Sequence, residues 1–344
     1  MTTATTSRVL VTGASGLIGS HIMDALIDAG YEPRAFCRRP VVPRASAVEQ
    51  VRGDVRDLTA LRCAMRGCDA VIHSAALYSY SRSDAEEMAQ TNVDGTRNVL
   101  DAAARAGVSR VVITSSCSTC GPVRGRAADE SDEAPSFELS VPYKRTKLAA
   151  EALALQRATK GQNVVIVNPT TTVGERDWRP TPSGRMVRDV LTGRIRGYLV
   201  SGGLNIVAAE DVARGHVLAL QRGRSGERYL LGGENLTMKQ TFEIIARLGG
   251  VATPRVPVAY PLVLGAAVLL HLAGRLTRRE ASLLLLDEVR LASMPMYFSS
   301  RKAELELGYS HRGAEEALSA AVRWFGQRLP RASRISLTVE YGRG

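Results

Sequence analysis

At 344 residues with 45% hydrophobic side chains, the chain can fill one large core or two modest ones, which excludes a disordered protein. Its 45 Lys and Arg against 34 Asp and Glu leave a formal charge of +11, a surface that attracts phosphates, acidic substrates or an anionic membrane face. The basic residues are scattered and no nucleic-acid-binding pattern is present, so DNA or RNA is not expected as a partner.

The first residues, "MTTATTSRVLVTG", pass from small polar side chains straight into a strand, without the charged-then-apolar order of a secretory leader; a cytoplasmic protein is expected. The five cysteines (Cys37, Cys63, Cys68, Cys117, Cys120) are odd in number and suit a reducing compartment. Cys117 and Cys120 have C-x-x-C spacing, but no second pair or His cluster completes a zinc site, so no metal is expected.

Short β-branched runs at residues 8–12, 33–37, 69–73, 109–114 and 163–168 alternate with longer helical stretches. That alternation predicts an α/β fold, a doubly wound parallel sheet of the Rossmann type over residues 8–170 with helices on both faces. One long helix is expected over "SDAEEMAQTNVDGTRNVLDAAARAG", stopped at Gly107, and another over "VPYKRTKLAAEALALQRATKG", stopped at Gly161. After Asn168-Pro169 the texture changes to the Thr-, Pro- and Arg-rich "TTTVGERDWRPTPSGR", which reads as a functional loop. Residues 171–204 and 234–328 are assigned to a smaller, mainly helical substrate lobe, with 205–233 returning to the dinucleotide-binding domain and 329–344 forming a basic tail.

The most apolar stretch, residues 259–276, is interrupted by Gly265 and His271 and falls short of the roughly 20 residues that span a bilayer. Ordinary packing is expected there. The alternative is a helix resting on an anionic membrane surface, because Arg275, Arg278 and Arg279 close the segment.

"VTGASGLIGS" puts Gly13, Gly16 and Gly19 at three-residue intervals where the first strand turns into a helix. Such a turn aims unpaired N–H groups and a positive dipole end at a pyrophosphate, and side chains would block the approach. Gly13 is expected to make the turn, Gly16 to admit the phosphates, and Gly19 to bring helix and sheet together. Ser15, Leu17 and Ile18 complete the cradle. An acidic residue at the end of the second strand would hold the 2′-hydroxyl of NAD; Cys37 and Arg38 stand there instead, so Arg38 and Arg39 are expected to pair with the 2′-phosphate of NADP, with NAD as the lesser alternative. Asp54 and Val55 are placed at the adenine.

"YKRTK" sets Tyr143 and Lys147 four residues apart on one helix face. A phenol titrates near pH ~10 in water, and an adjacent ammonium favours its phenolate, so Tyr143 can exchange an alcohol proton near neutrality. Upstream, "VVITSSCSTCG" carries Ser116 to the carboxyl edge of the sheet, where doubly wound folds place their ligands and where its hydroxyl can orient a carbonyl. Tyr78, Ser118, Arg176, Trp178 and Arg185 are candidate substrate contacts.

In this order, "TGASGLIG", "GDVRD", "HSAA", "TNVDGTRNVL", "TSSCSTCG", "YKRTK" and "NPTTTVG" resemble an extended short-chain dehydrogenase/reductase over residues 8–328. The resemblance implies a Ser116, Tyr143, Lys147 triad, with Lys147 also holding the nicotinamide ribose. It implies that Asn92 supports the active-site helix and a proton path, and that His73, Ser74, Ala75 and Ala76 belong to the stretch beside the cofactor, His73 in a structural role. Thr114, Asn168, Pro169 and Thr171 join the cofactor set. A homodimer through the helices at 84–107 and 141–160 is implied as well. Within the superfamily the chain is similar to hopanoid-associated sugar epimerases and dihydroflavonol reductases. It departs from nucleotide-sugar enzymes in having "VNPTTTVGERD" where those show an "FNVYGP"-like segment, and Cys117-Ser118 where dehydratases carry an acidic pair; Ala208 stands where the branch tends to have His. The expected activity is reduction of a carbonyl, or oxidation of an alcohol, on a small organic substrate, with sugar epimerisation through transient oxidation as the alternative.

Overall fold

The computed structural model describes residues 7–40, 48–79, 82–136, 139, 141–277 and 294–329; Arg278, Arg279 and the tail from 330 lie outside them. The strands among the described residues are β1 (Arg8–Thr12), β2 (Glu32–Cys37), β3 (Glu49–Arg52), β4 (Ala70–His73), β5 (Arg110–Thr114), β6 (Val164–Pro169), β7 (Thr171–Val173), β8 (Gly197–Leu199), β9 (Gly203–Ala208), β10 (Arg228–Leu231), β11 (Glu234–Thr237) and β12 (Val256–Val258). Seven of them form one sheet in the order β10-β6-β5-β4-β1-β2-β3, with every neighbouring pair parallel. The order reverses between β1 and β4, and in open sheets of this kind the crevice beyond that reversal is where ligands bind. The architecture is the doubly wound Rossmann-type α/β fold.

The helices are α1 (Leu17–Asp28), α2 (Leu58–Ala64), α3 (Ala85–Met88), α4 (Gly95–Ala106), α5 (Pro142–Thr159), α6 (Pro182–Leu191), α7 (Ala209–Arg222), α8 (Met238–Gly249), α9 (Tyr260–Thr277), α10 (Arg301–Leu307) and α11 (Ala314–Arg328); those before α9 lie between strands and supply the crossovers that parallel pairing needs. Because helices cover both faces, β1 has no polar side: Val9 and Val11 pack under Ile22 and Leu26 of α1 and Val217 of α7, while Leu10 packs under Leu61 of α2 and Val99 of α4. A third core joins α6, α8 and α11 to β9 through Val187, Phe242, Ile245, Leu318 and Phe325.

Two details differ from the sequence-based expectation. The helix expected over residues 83–107 is interrupted by a wide π turn at Ala89–Asp94 between α3 and α4, which carries Asn92 inward. The 205–233 segment divides between two sheets: β9 pairs with β7 and β11 in a three-stranded sheet, while β10 joins the main sheet beside β6.

Candidate active site

The β1–α1 turn is shaped by what its glycines lack. Gly13 adopts φ +72, and a Cβ there would stand 2.6 Å from the Ala75 nitrogen at the end of β4. A Cβ on Gly19 would lie 2.1 Å from the Gly13 carbonyl oxygen, so Gly19 packs the helix onto the turn itself. Gly16 caps α1 with extended backbone, no side-chain cap and no acidic residue in the first turn, which leaves the helix amides turned to whatever lies above. Ser15 and Gly16 are exposed at the tip, Ile18 is half-buried and Leu17 is buried. The cradle fits a pyrophosphate, because a side chain at Gly13 or Gly19 would displace backbone.

Beyond the cradle, the Ser74 hydroxyl donates to the Thr12 carbonyl (2.8 Å), tying the β4 exit to β1; Ala75 is half-buried and Ala76 exposed. At the end of β2, Cys37 is buried, with Arg38 and Arg39 exposed after it. Asp54 does not stand free for an adenine amine. Its carboxylate accepts from Arg56 at 3.0 and 2.8 Å, which holds it below the usual carboxylate range, and Arg38 approaches to 4.0 Å. Val55 is a core residue packed on Gly95. Arg56, which the sequence reading passed over, thus joins Arg38 at this end of the sheet.

The candidate catalytic groups converge from β5, the π turn and α5. Ser116 caps a short helical turn at Cys117–Thr119, and its Oγ accepts from the Ser118 backbone N–H (3.2 Å) and the Ser118 hydroxyl (3.0 Å). With two bonds accepted, its own proton is left to donate. Lys147 is buried and donates to the Thr114 carbonyl (2.8 Å), an anchor that uses one of its three N–H donors. Burial lowers its pKa to about 8, with the Glu151 charge opposing. Tyr143 stacks against Tyr78 with ring centroids 4.1 Å apart. Asn92 explains that contact: its Oδ1 accepts from Leu77 N–H (2.7 Å), and its Nδ2 donates to Leu77 O (3.0 Å) and to Thr146 Oγ1 (3.0 Å), which donates to Tyr143 O (2.8 Å). The amide clamps the Tyr78 loop to the Tyr143 helix with both of its protons.

Two buried histidines flank Lys147. Thr96 donates to Asn92 O (2.6 Å), so its oxygen accepts from His73 Nε2–H (3.1 Å), and His73 Nδ1 accepts from Thr12 (2.7 Å). Burial, then the Lys147 charge, pushes His73 to about 3. His216 Nδ1–H donates to Val212 O (2.8 Å), which leaves Nε2 to accept from the Thr114 hydroxyl (2.8 Å); burial holds its pKa near 4. Both rings are neutral, and Lys147 is the cation among the three.

Glu151, one turn past Lys147, was missed from sequence although Tyr143, Lys147 and Glu151 form an i, i+4, i+8 row. Its buried carboxylate accepts from Thr119 Oγ1 (2.8 Å), Asn168 Nδ2 (2.7 Å) and Arg228 (3.0 Å). Asn168 also reaches Ser116 O (3.1 Å), so α5, β6 and the Ser116 turn meet on this one side chain. Pro169 closes β6 against Leu231, and Thr171 opens β7 against Ile206. Burial, then the Glu151 charge, raises Cys120 to about 12, so its thiol stays protonated. Among the described residues, no group of three or more His, Cys, Asp or Glu could hold a metal ion.

The loop after β7 departs from expectation. Arg176, at φ +63, turns onto α1, where it pairs with Asp24 (2.7 Å) and donates to Ser20 O (3.3 Å) instead of standing free for a substrate anion. Trp178, 63% exposed, packs edge-on against Trp324 of α11 (4.5 Å) beneath Arg328. Arg185, in the first turn of α6, donates back to Pro180 O (3.0 Å) in the preceding loop. Tyr78 and Ser118 are the candidate substrate contacts that the fold brings to the catalytic groups.

A dinucleotide cradle at the sheet's switch point, with a serine, a tyrosine and a lysine beside it, defines an NAD(P)-dependent enzyme of the extended short-chain dehydrogenase/reductase type. Residues 9–232 match the NAD dependent epimerase/dehydratase family, and the chain belongs to that family. It is 37% identical over 325 residues to a Synechocystis sp. protein that carries a dihydroflavonol 4-reductase name, covering 92% of this chain and 93% of the relative. It is 36% identical over 323 residues to sterol demethylase protein B of Methylococcus capsulatus, covering 93% of this chain and 98% of that one. Among solved structures, the nucleoside-diphosphate-sugar epimerase PA4631 of Pseudomonas aeruginosa superposes with a TM-score of 0.75 at 28% identity, covering 94% of this chain and 98% of that chain.

Proposed function

We propose that the protein is an NADP(H)-dependent carbonyl reductase, working in reverse as an alcohol dehydrogenase, on a small or medium-sized organic substrate. The observation that carries this reading is the Ser116 hydroxyl, which accepts twice from Ser118 and keeps its own proton to donate at the carboxyl end of β5. Gly13, Gly16 and Gly19 hold the pyrophosphate, Lys147 the nicotinamide ribose, and Arg38 with Arg56 the 2′-phosphate. When bound, the nicotinamide supplies the hydride that reduces the carbonyl carbon or accepts it from the alcohol. Ser116 donates to the substrate oxygen and polarises the carbonyl. Tyr143 delivers its phenolic proton to that oxygen as the alcohol forms, and Lys147 steadies the phenolate left behind. Tyr78, stacked on the Tyr143 ring, helps to fix its orientation.

The reductase name of the Synechocystis relative supports net reduction. The likeness to a nucleoside-diphosphate-sugar epimerase favours a second reading, in which the same residues oxidise and re-reduce a sugar with no net turnover of cofactor. A panel of aldehydes, ketones and nucleotide sugars, each offered with NADPH and with NADH, separates the two. A reductase consumes NADPH mole for mole with substrate; an epimerase purifies with cofactor bound and consumes none. Titration with both dinucleotides tests the 2′-phosphate assignment, which fails if NADH binds as tightly as NADPH.

A further inference from the structure

The sequence of helix α9 is apolar on every side of the helix, yet over residues 260–269 one side faces solvent. Its 18 residues, about 27 Å at 1.5 Å per residue, contain no acidic side chain, and Arg275 is their one formal charge. Tyr260, Val263, Leu264 and Ala267 form a row at i, i+3, i+4, i+7 and cluster among themselves, apart from the three large cores. The opposite row, Leu262, Gly265, Ala266 and Leu269, is exposed, with Leu262 at 71% and Leu269 at 68%. A helix that is hydrophobic all round belongs in an apolar environment, and an exposed apolar patch marks something that covers it.

Charge says what that covering is. The two-stranded β8–β12 ribbon leads directly into α9, and Val200 N–H donates to Val258 O (3.1 Å) where it does so. Val200 and Val256 are exposed on this ribbon. At its other end Arg255 N–H donates to Arg196 O (3.1 Å), and Arg194, Arg196 and Arg255 are all exposed. Arg194 leans on Asp189 at 3.6 Å, whereas among the described residues neither Arg196 nor Arg255 enters an ion pair. A second copy of the chain would set these arginines against their own images across a two-fold axis, which like charges resist. An interface of anionic headgroups over acyl chains complements both the leucines and the arginines. No helix among the described residues is long and apolar enough to cross a membrane.

We propose that α9 and the β8–β12 ribbon dock this protein peripherally on an anionic lipid surface, with Leu262 and Leu269 entering the headgroup boundary and Arg194, Arg196 and Arg255 contacting phosphates. The test is flotation of the full chain with vesicles of phosphatidylglycerol and phosphatidylcholine, against vesicles of phosphatidylcholine alone. Wild type is expected to float with the anionic vesicles only. Leu262→Gln with Leu269→Gln is expected to cut the floated fraction about tenfold at an unchanged melting temperature, since both side chains are already exposed. Arg196→Gln with Arg255→Gln is expected to weaken binding and flatten its dependence on salt. Wild-type protein that stays at the bottom with anionic vesicles overturns the proposal, as does equal flotation of the leucine variant. Light scattering that shows self-association abolished by the leucine substitutions, or their loss of an acidic protein partner without loss of vesicle binding, reassigns the face and overturns it too.

Discussion

Lys147 carries the residue-scale consequence most open to measurement. Its pKa is held at about 8 by burial, so the ammonium beside Tyr143 is present below that pH and lost above it. Carbonyl reduction draws on the Tyr143 proton and on a cation to steady the phenolate, so kcat/KM for reduction is expected to fall as pH rises through about 8. The fold responds in the opposite sense. A lysine depressed in the folded state releases its proton before the unfolded chain does, so between about 8 and its ordinary value of 10.5 this group's contribution to stability rises. An alkaline loss of rate with an unchanged or higher denaturant midpoint matches that linkage; a rate that is flat to pH 10 contradicts it. Glu151 carries a consequence for stability. Glu151→Ala takes the carboxylate from Arg228, which keeps the Glu130 carbonyl, and removes the acceptor for Thr119 and Asn168; this is expected to cost about 3 kcal/mol, read as a lower urea midpoint.

Among the elements, the β1–α1 turn is the least tolerant of added atoms. Gly19→Ala puts a carbon into the Gly13 carbonyl, and the required shift of backbone is expected to cost about 1–3 kcal/mol in the fold and to weaken NADPH binding by at least tenfold in a fluorescence titration. Undiminished affinity would mean that the turn is not the pyrophosphate seat. That turn was legible because three glycines follow a buried strand, and strands β1, β2, β4, β5 and β6 were legible because both faces are covered and their sequences are mostly apolar. Strand β3, "EQVR", was not, since it is an exposed edge held by pairing with β2 and shows no hydrophobic period. The Tyr143–Lys147 pair was visible as a four-residue spacing. What holds it was less so: the Asn92 clamp depends on a π turn that no local signal marks, and His216 reaches Thr114 from 102 residues away. The place of Arg176 was hidden for a related reason, because sequence shows a guanidinium but not the Asp24 carboxylate that the fold brings to it.

For the whole molecule, assembly turns on α5. Its inner row is buried against the sheet, while Arg145, Ala149, Ala152 and Gln156, spaced at i, i+4, i+7, i+11, face outward with Leu148 and Leu153 half-buried beside them. Small side chains on an outer helical face let a second helix approach to the 8–10 Å of ordinary helix packing. The resemblance to dimeric short-chain enzymes points to the same helix, and we propose a two-fold dimer in which α4 and α5 of each copy form one four-helix layer. Such a dimer leaves α9, in the other part of the chain, free for a lipid surface and would present two of them. Light scattering is expected to give twice the 37.0-kDa chain mass. Ala152→Arg, which drives a charge into the seam without touching the inner face that carries Lys147 and Glu151, is expected to return the single-chain mass with NADPH affinity retained. A wild-type protein that scatters as one chain removes the seam, and with it the packing role given to Ala149 and Ala152 on the side of α5 that no strand covers.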